Sequence, residues 1–179
     1  MIVVASSNGR IGIEAAIAIL RQGGTAVDAV EAGIRLVEAN PEDHTVGFNG
    51  YPNILGEIEL DASIMNGRTL ESGAVGSLKG YLYAITLARQ VMEKLPHVLL
   101  VGDGANRFAP EMGHPPHPEM LLPEIRDVWR NRLQPEMSDA EVAKIAERTD
   151  LSEWVQLATD PERAKGTVNF IAQDSEGNI

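Results

Sequence analysis

The chain opens on a short apolar run, Ile2 to Ala5, which predicts a buried strand. A polar turn through Ser6 to Gly9 follows, and the apolar residues from Ile11 to Leu20 predict a helix that Gly23-Gly24 ends. Val27, Val30, Ile34 and Val37 then recur at helical spacing, with Thr25 as N-cap and Asp28 in capping-box position, so a second helix is expected over 25–39, stopping at Asn40-Pro41. Glu42 to Gly56 reads as a long loop, and a loop of that length in a compact domain is more often functional than filler. Next, Ile58, Leu60, Ala62 and Ile64 alternate with Glu57, Glu59, Asp61 and Ser63. This predicts a strand over 57–65 that turns at Asn66-Gly67 into a return strand over 69–75. A helix over 78–95 ends at Pro96, 97–101 is a buried strand, and Gly102-Asp103-Gly104 starts another helix.

From Gly113 the pattern weakens. Prolines crowd 115–123, a helix runs through Trp129, Ser138 and Glu141 form a capping box on a short helix to Arg148, and 151–157 is a further candidate helix. The charged character of 113–166 predicts a peripheral or mobile region. Alternation returns at Val168, Phe170 and Ala172, giving a strand over 167–173, and a turn at Asp174 to Asn178 leaves Ile179 at the start of a returning strand. A strand without its hairpin neighbour leaves an open edge and a half-covered apolar face. The reading is therefore of a truncated chain, or one completed by a second polypeptide.

Composition narrows the chemistry. With 15 Lys+Arg against 26 Asp+Glu in 179 residues, the net charge is −11, which repels phosphate backbones and argues against nucleic acid as a partner. Zero cysteines exclude disulfides, thiolate metal sites and cysteine nucleophiles. MIVVASSNGR has neither the basic flank nor the apolar length of a signal peptide, and no run is long enough to span a membrane, so a cytoplasmic protein is expected. His114 and His117 share a proline-rich loop that reads as surface rather than a zinc site, and Gly102-Asp103-Gly104 lacks the remaining residues of either nucleotide-binding loop. No metal and no cofactor is expected. Trp129 and Trp154 read as packing residues.

The specific signal lies in an ordered set of motifs: Val46-Gly47-Phe48-Asn49-Gly50, GEIELDASIMNG over 56–67, SGAVG over 72–76, LARQVMEKLPHVLLVGDGANRFA over 87–109, Met112-Gly113, and Gly166-Thr167-Val168. Together they resemble the N-terminal nucleophile hydrolases of the asparaginase type 2 family, which holds glycosylasparaginase, isoaspartyl peptidase and plant-type asparaginase. The resemblance implies an α/β fold, a four-layer αββα sandwich of which this chain holds the N-terminal part. Residues 1–166 would be the α-subunit and 167–179 the first residues of the β-subunit. It further implies a self-cut at Gly166-Thr167, hydrolysis of an asparagine side-chain amide, a glycosylated asparagine or an isoaspartyl peptide, and a homodimer of αβ units.

The residue types suit that chemistry. Thr167 offers a hydroxyl on a β-branched carbon with restricted χ1, and Gly166 tolerates unusual backbone angles at the scissile bond. After an N-to-O acyl shift and hydrolysis, the freed α-amine of Thr167, with an unperturbed pKa of roughly 7.7–8.0, can act as base for its own hydroxyl. The other Gly-Thr pair, Gly24-Thr25, sits at a helix start instead. Asn49 is the second candidate, either positioning the nucleophile, as the FN motif of the isoaspartyl branch implies, or satisfying its own turn. Asp61 matches a family motif and reads as structural. Ser7 stands where glycosylasparaginases carry a substrate-packing tryptophan, and Ala5-Ser6-Ser7-Asn8 departs from the plant-type His-Gly-Gly-Ala, which leaves the leaving group open. In the family the β-subunit adds an arginine and an aspartate that grip the substrate, a second threonine and a Thr-Gly oxyanion segment. Without these the 179-residue chain is expected to be inactive. The rival reading is a catalytically incomplete fragment or pseudoenzyme that serves as an association module.

Overall fold

The computed structural model describes residues 1–133, 137–148, 150, 152, 155 and 167–179. The expected helix at 151–157, Trp154 and Gly166 fall wholly or largely outside them. Two sheets form, each with helices on one face. In the first, β1 (Ile2–Ala5) pairs antiparallel with β5 (Phe170–Gln173), in the register Ile2↔Gln173 to Ala5↔Phe170. In the second, β2 (Leu60–Met65) pairs antiparallel with β3 (Ser72–Leu78), which runs parallel to β4 (Leu99–Val101). Helices α1 (Ile13–Arg21) and α2 (Ala26–Glu38) lie against β1 and β5, and α3 (Ala84–Lys94) lies against β2 and β3.

The elements follow from the alternation and the caps. Leu60 and Ile64 of β2 and Val75 and Leu78 of β3 are buried toward Ile85, Leu87, Ala88 and Val91 of α3. The intervening residues leave the opposite face open, with Met65, Leu99 and Val101 more than half exposed; Ile2, Val4 and Ile171 do the same on the first sheet. At the start of α2 the Thr25 hydroxyl accepts from the Asp28 N–H at 3.1 Å, and the Asp28 carboxylate accepts from the Thr25 N–H at 3.0 Å. Thr25→Ala removes this cap, and the expected loss is about 1 kcal/mol by denaturant titration, with chemistry untouched.

Several boundaries differ from the sequence reading. The hairpin turn is longer than Asn66-Gly67: it runs to Glu71, whose carbonyl accepts from the Asn66 N–H, with Leu70 at φ 62°. The return strand accordingly runs 72–78, not 69–75. A bulge falls between Leu60 and Ala62, and the Asp61 carboxylate accepts from the Ser77 N–H at 2.8 Å. Ser77 and Gly80 both take positive φ, so the chain leaves the sheet there and α3 begins at Ala84 rather than 78. The last strand starts at Phe170 rather than Thr167, and a 3-10 turn over Ser7–Gly12 precedes α1.

Helix α4 (Asp103–Glu111) starts after Gly102 as expected. The region after Gly113 is less peripheral than its charge implied. Met120, Leu121 and Ile125 enter the main core, while Trp129 and Leu133 of α5 (Pro123–Leu133) close a second, smaller core with Met137, Val142 and Ile145, backed by Ile54 and Leu55. The capping box at Ser138 and Glu141 is formed, but its helix α6 is short (Asp139–Val142) and passes into a 3-10 turn at Ile145–Glu147. No helix among the described residues is long and apolar enough to cross a membrane.

Candidate active site

Thr167 leads into β5 and is pinned close to it. The Asn169 N–H donates to the Ser6 hydroxyl oxygen and the Ser6 N–H donates to the Asn169 carbonyl, both at 3.0 Å. This ties the residues after Thr167 to the turn that follows β1. The tie continues: the Ser6 hydroxyl donates to the Asn8 side-chain carbonyl at 2.6 Å, the Asn8 amide donates to the Thr45 hydroxyl at 3.2 Å, and that hydroxyl donates to the Asp43 carboxylate. A continuous polar chain therefore links the Thr167 strand to the 42–56 loop. Ser6, Asn8 and Thr45 stood out in no motif, because each acts through a partner distant in sequence.

Thr167, Val168 and Asn169 border a cavity of about 680 Å³. Its walls are Thr45, Val46 and Gly47 of the long loop, Asp61 and Ser63 of β2, Gly76 of β3, Leu99 and Val101 of β4, and Glu38 at the end of α2. The polar side chains Glu38, Glu59 and Asp61 are acidic, and no Lys, Arg or His lines the cavity among the described residues. Glu59 accepts from Asn53 and Ser77, and these hydrogen bonds hold it below the usual carboxylate range. Asp61 is spent on the bulge at Ser77, which accords with a structural role.

Glu38 is different. It is 4% exposed, its Oε1 accepts from the Ile85 N–H in the first turn of α3 at 3.0 Å, and its Oε2 has no hydrogen-bond partner among the described residues. Burial pushes its carboxyl up to about 8, so it is neutral at pH 7. Its position at the last turn of a helix, where the dipole disfavours a carboxylate, is a sequence signal that could have singled it out.

Asn49 does not line this cavity. It is buried at φ 59°, its amide donates to the Pro41 carbonyl at 3.1 Å, and its side-chain oxygen accepts from the Leu122 N–H at 3.1 Å. Its own N–H donates to the Met120 carbonyl at 2.7 Å, so the residue staples the loop to the 120–122 segment. Asn49→Ala leaves these groups unmet in the interior and puts Ala at positive φ, a combined cost of about 3 kcal/mol. Chemical denaturation of the full-length protein measures that loss; a fully stable Asn49→Ala protein without activity would instead favour the nucleophile-positioning role.

The histidines of the proline-rich loop turn to separate partners, His114 to the Gln90 side chain at 2.7 Å and His117 edge-on to Phe48. Gly166, the other half of the expected cut, lies outside the described residues.

A threonine at the mouth of an acidic cavity, held by a strand that pairs with the N-terminal strand, is the geometry to set beside known proteins. Isoaspartyl peptidase/L-asparaginase of Danio rerio is 38% identical over 164 residues, covering 90% of this chain and 47% of that protein. The Homo sapiens protein of the same description is 39% identical over 161 residues, covering 90% and 47%. Plant-type L-asparaginase of Pyrococcus abyssi is 39% identical over 153 residues, covering 86% and 48%. The chain thus spans about half the length of the curated relatives it matches. The family model Asparaginase_2, described as asparaginase, matches residues 9–179, and the chain belongs to that family.

Proposed function

We propose that this chain carries the α part, and the nucleophile, of a self-processing amidohydrolase acting on asparagine side-chain amides or isoaspartyl peptides. The observation that carries the reading is Thr167 at the cavity mouth, three residues before a strand locked to β1 and beside the Asn169–Ser6 pair. In the cut, the Thr167 hydroxyl attacks the Gly166 carbonyl, its proton passes to the departing amide nitrogen, and water hydrolyses the resulting ester. The products are a Gly166 carboxylate and a free Thr167 amine. In turnover the amine takes the hydroxyl proton as the oxygen attacks the substrate amide. Ammonia or an amine leaves, and a second water releases aspartate from the ester.

The absence of any cation from the described cavity walls is consistent with a site whose carboxylate-gripping arginine comes from the β-subunit, as the family resemblance implies. So are the open apolar faces bearing Ile2, Val4 and Ile171 on one sheet and Leu99 and Val101 on the other. Such faces fit an αββα sandwich completed by further strands, and a homodimer of αβ units. The substrate side of the reading is tested by product release from the full-length processed protein with asparagine, an isoaspartyl dipeptide and aspartylglucosamine in parallel. Ammonia from asparagine or cleavage of the isoaspartyl bond is expected. Turnover of none of the three would favour the association-module alternative.

A further inference from the structure

Resting on that reading, we propose that Glu38 is a positioning residue of the threonine site, which holds the cavity-lining loop 45–48 against α3. Its side chain and its backbone act at two ends of one post. The side-chain Oε1 accepts from the Ile85 N–H at 3.0 Å, fixing the end of α2 to the start of α3. The backbone carbonyl of the same residue accepts from the Phe48 N–H at 2.7 Å, and Gly47 lies directly on that carbonyl. Thr45, Val46 and Gly47 all face the cavity that Thr167 enters. Displacement of Glu38 therefore moves the wall beside the nucleophile, although Glu38 itself touches none of the reacting atoms.

The protonation state is part of the device. A charged carboxylate at this depth would leave Oε2 with its full charge and no partner, a larger cost than that of the neutral acid. Burial favours the neutral form up to about pH 8; Arg35 opposes this and Glu31 supports it from α2. On the cavity side Glu59 and Asp61 share the lining with Glu38, Glu59 being paired with Lys79 at 3.2 Å, and after the proposed cut the Thr167 amine lies on the same cavity. The sign for stability follows. Between the ordinary value of 4.5 and about 8, the unfolded chain has lost this proton and the folded chain keeps it, so stability falls as pH rises through that window. Above about 8 the folded group ionises too, and the cost of a buried charge, which the Ile85 N–H offsets only in part, draws the side chain toward water and loosens the α2–α3 tie beneath loop 45–48.

The test uses full-length protein, with wild type, Glu38→Gln and Glu38→Ala compared by intact mass, by kcat and KM for ammonia release across pH 6–10, and by infrared difference spectra at pH 7. Glutamine mimics the neutral acid, so Glu38→Gln is expected to cut itself and to turn over within about threefold of wild type at neutral pH. It should also lose the alkaline fall in kcat near pH 8 that is expected of wild type. Glu38→Ala is expected to lose roughly tenfold or more in kcat, with a smaller change in KM. A protonated-carboxyl carbonyl band should be present in wild type and absent from Glu38→Gln. Identical pH profiles for wild type and Glu38→Gln, or no such band, would overturn the proposal. If no protein cuts at Gly166-Thr167, the self-processing reading fails instead, while the infrared band still reports whether Glu38 is neutral.

Discussion

Thr167→Ala, made in the full-length protein, yields an uncleaved precursor with no detectable amidase activity. In the proposed mechanism one hydroxyl performs both the self-cut and the attack on substrate, and the α-amine proposed as base exists only after the cut, so a single side chain would govern two observables. Thr167→Ser separates hydroxyl from methyl. Serine retains the nucleophile but loses the β-branch that restricts χ1, so slower processing and slower hydrolysis are expected, both measurable. The neighbouring fold should be unaffected in either variant, because Thr167 is exposed and the strand is held by the Asn169–Ser6 pair and the β1 register. Unaltered melting alongside lost activity would show that the effect belongs to the chemistry.

Gly47→Ala is expected to damage the site through the backbone alone. Gly47 has φ 64°, and a Cβ built there would sit 2.1 Å from the Glu38 carbonyl oxygen and 2.4 Å from its Cα. The obstacle is backbone, so it cannot swing aside as a side-chain tip would. Left-handed strain and the forced separation together cost about 3 kcal/mol. The separation also breaks the Phe48–Glu38 bond and shifts Thr45 and Val46, which wall the cavity. A lower melting temperature together with self-cleavage slowed at least roughly tenfold is expected, since small displacements at a reacting centre are expensive. Wild-type melting and wild-type processing would show that the loop is not held as described.

Much of this fold is legible in the chain because it depends on local pattern. The alternation from Ile58 to Ile64 and the return at Gly73 and Val75 specify a paired hairpin, and the Thr25–Asp28 box starts α2 where the sequence places it. What sequence could not show rests on long-range bonds. The start of α3 moved from 78 to 84 because Asp61, sixteen positions away, stabilises a turn at Ser77. Asn49 reads as a turn or site residue until Leu122, seventy-three positions on, is seen to hold its amide group. Thr45 is an unremarkable loop threonine until Asn8 and the cavity reach it. Glu38 carries one local signal, its place at a helix C-terminus, but only the arrival of α3 makes it a buried acid. Thr167 itself was located by the ordered motifs around it, since a Gly-Thr pair alone occurs twice.

In the proposed mechanism Thr167 becomes an N-terminus. Intact-mass measurement of the purified full-length protein, with N-terminal sequencing of the smaller product, tests this most directly. The account predicts two fragments that separate between residues 166 and 167, the second beginning Thr-Val-Asn-Phe, and a single uncut mass for Thr167→Ala. A wild-type protein that remains one chain while hydrolysing its substrate, or a Thr167→Ala protein cut at the same bond, would contradict it.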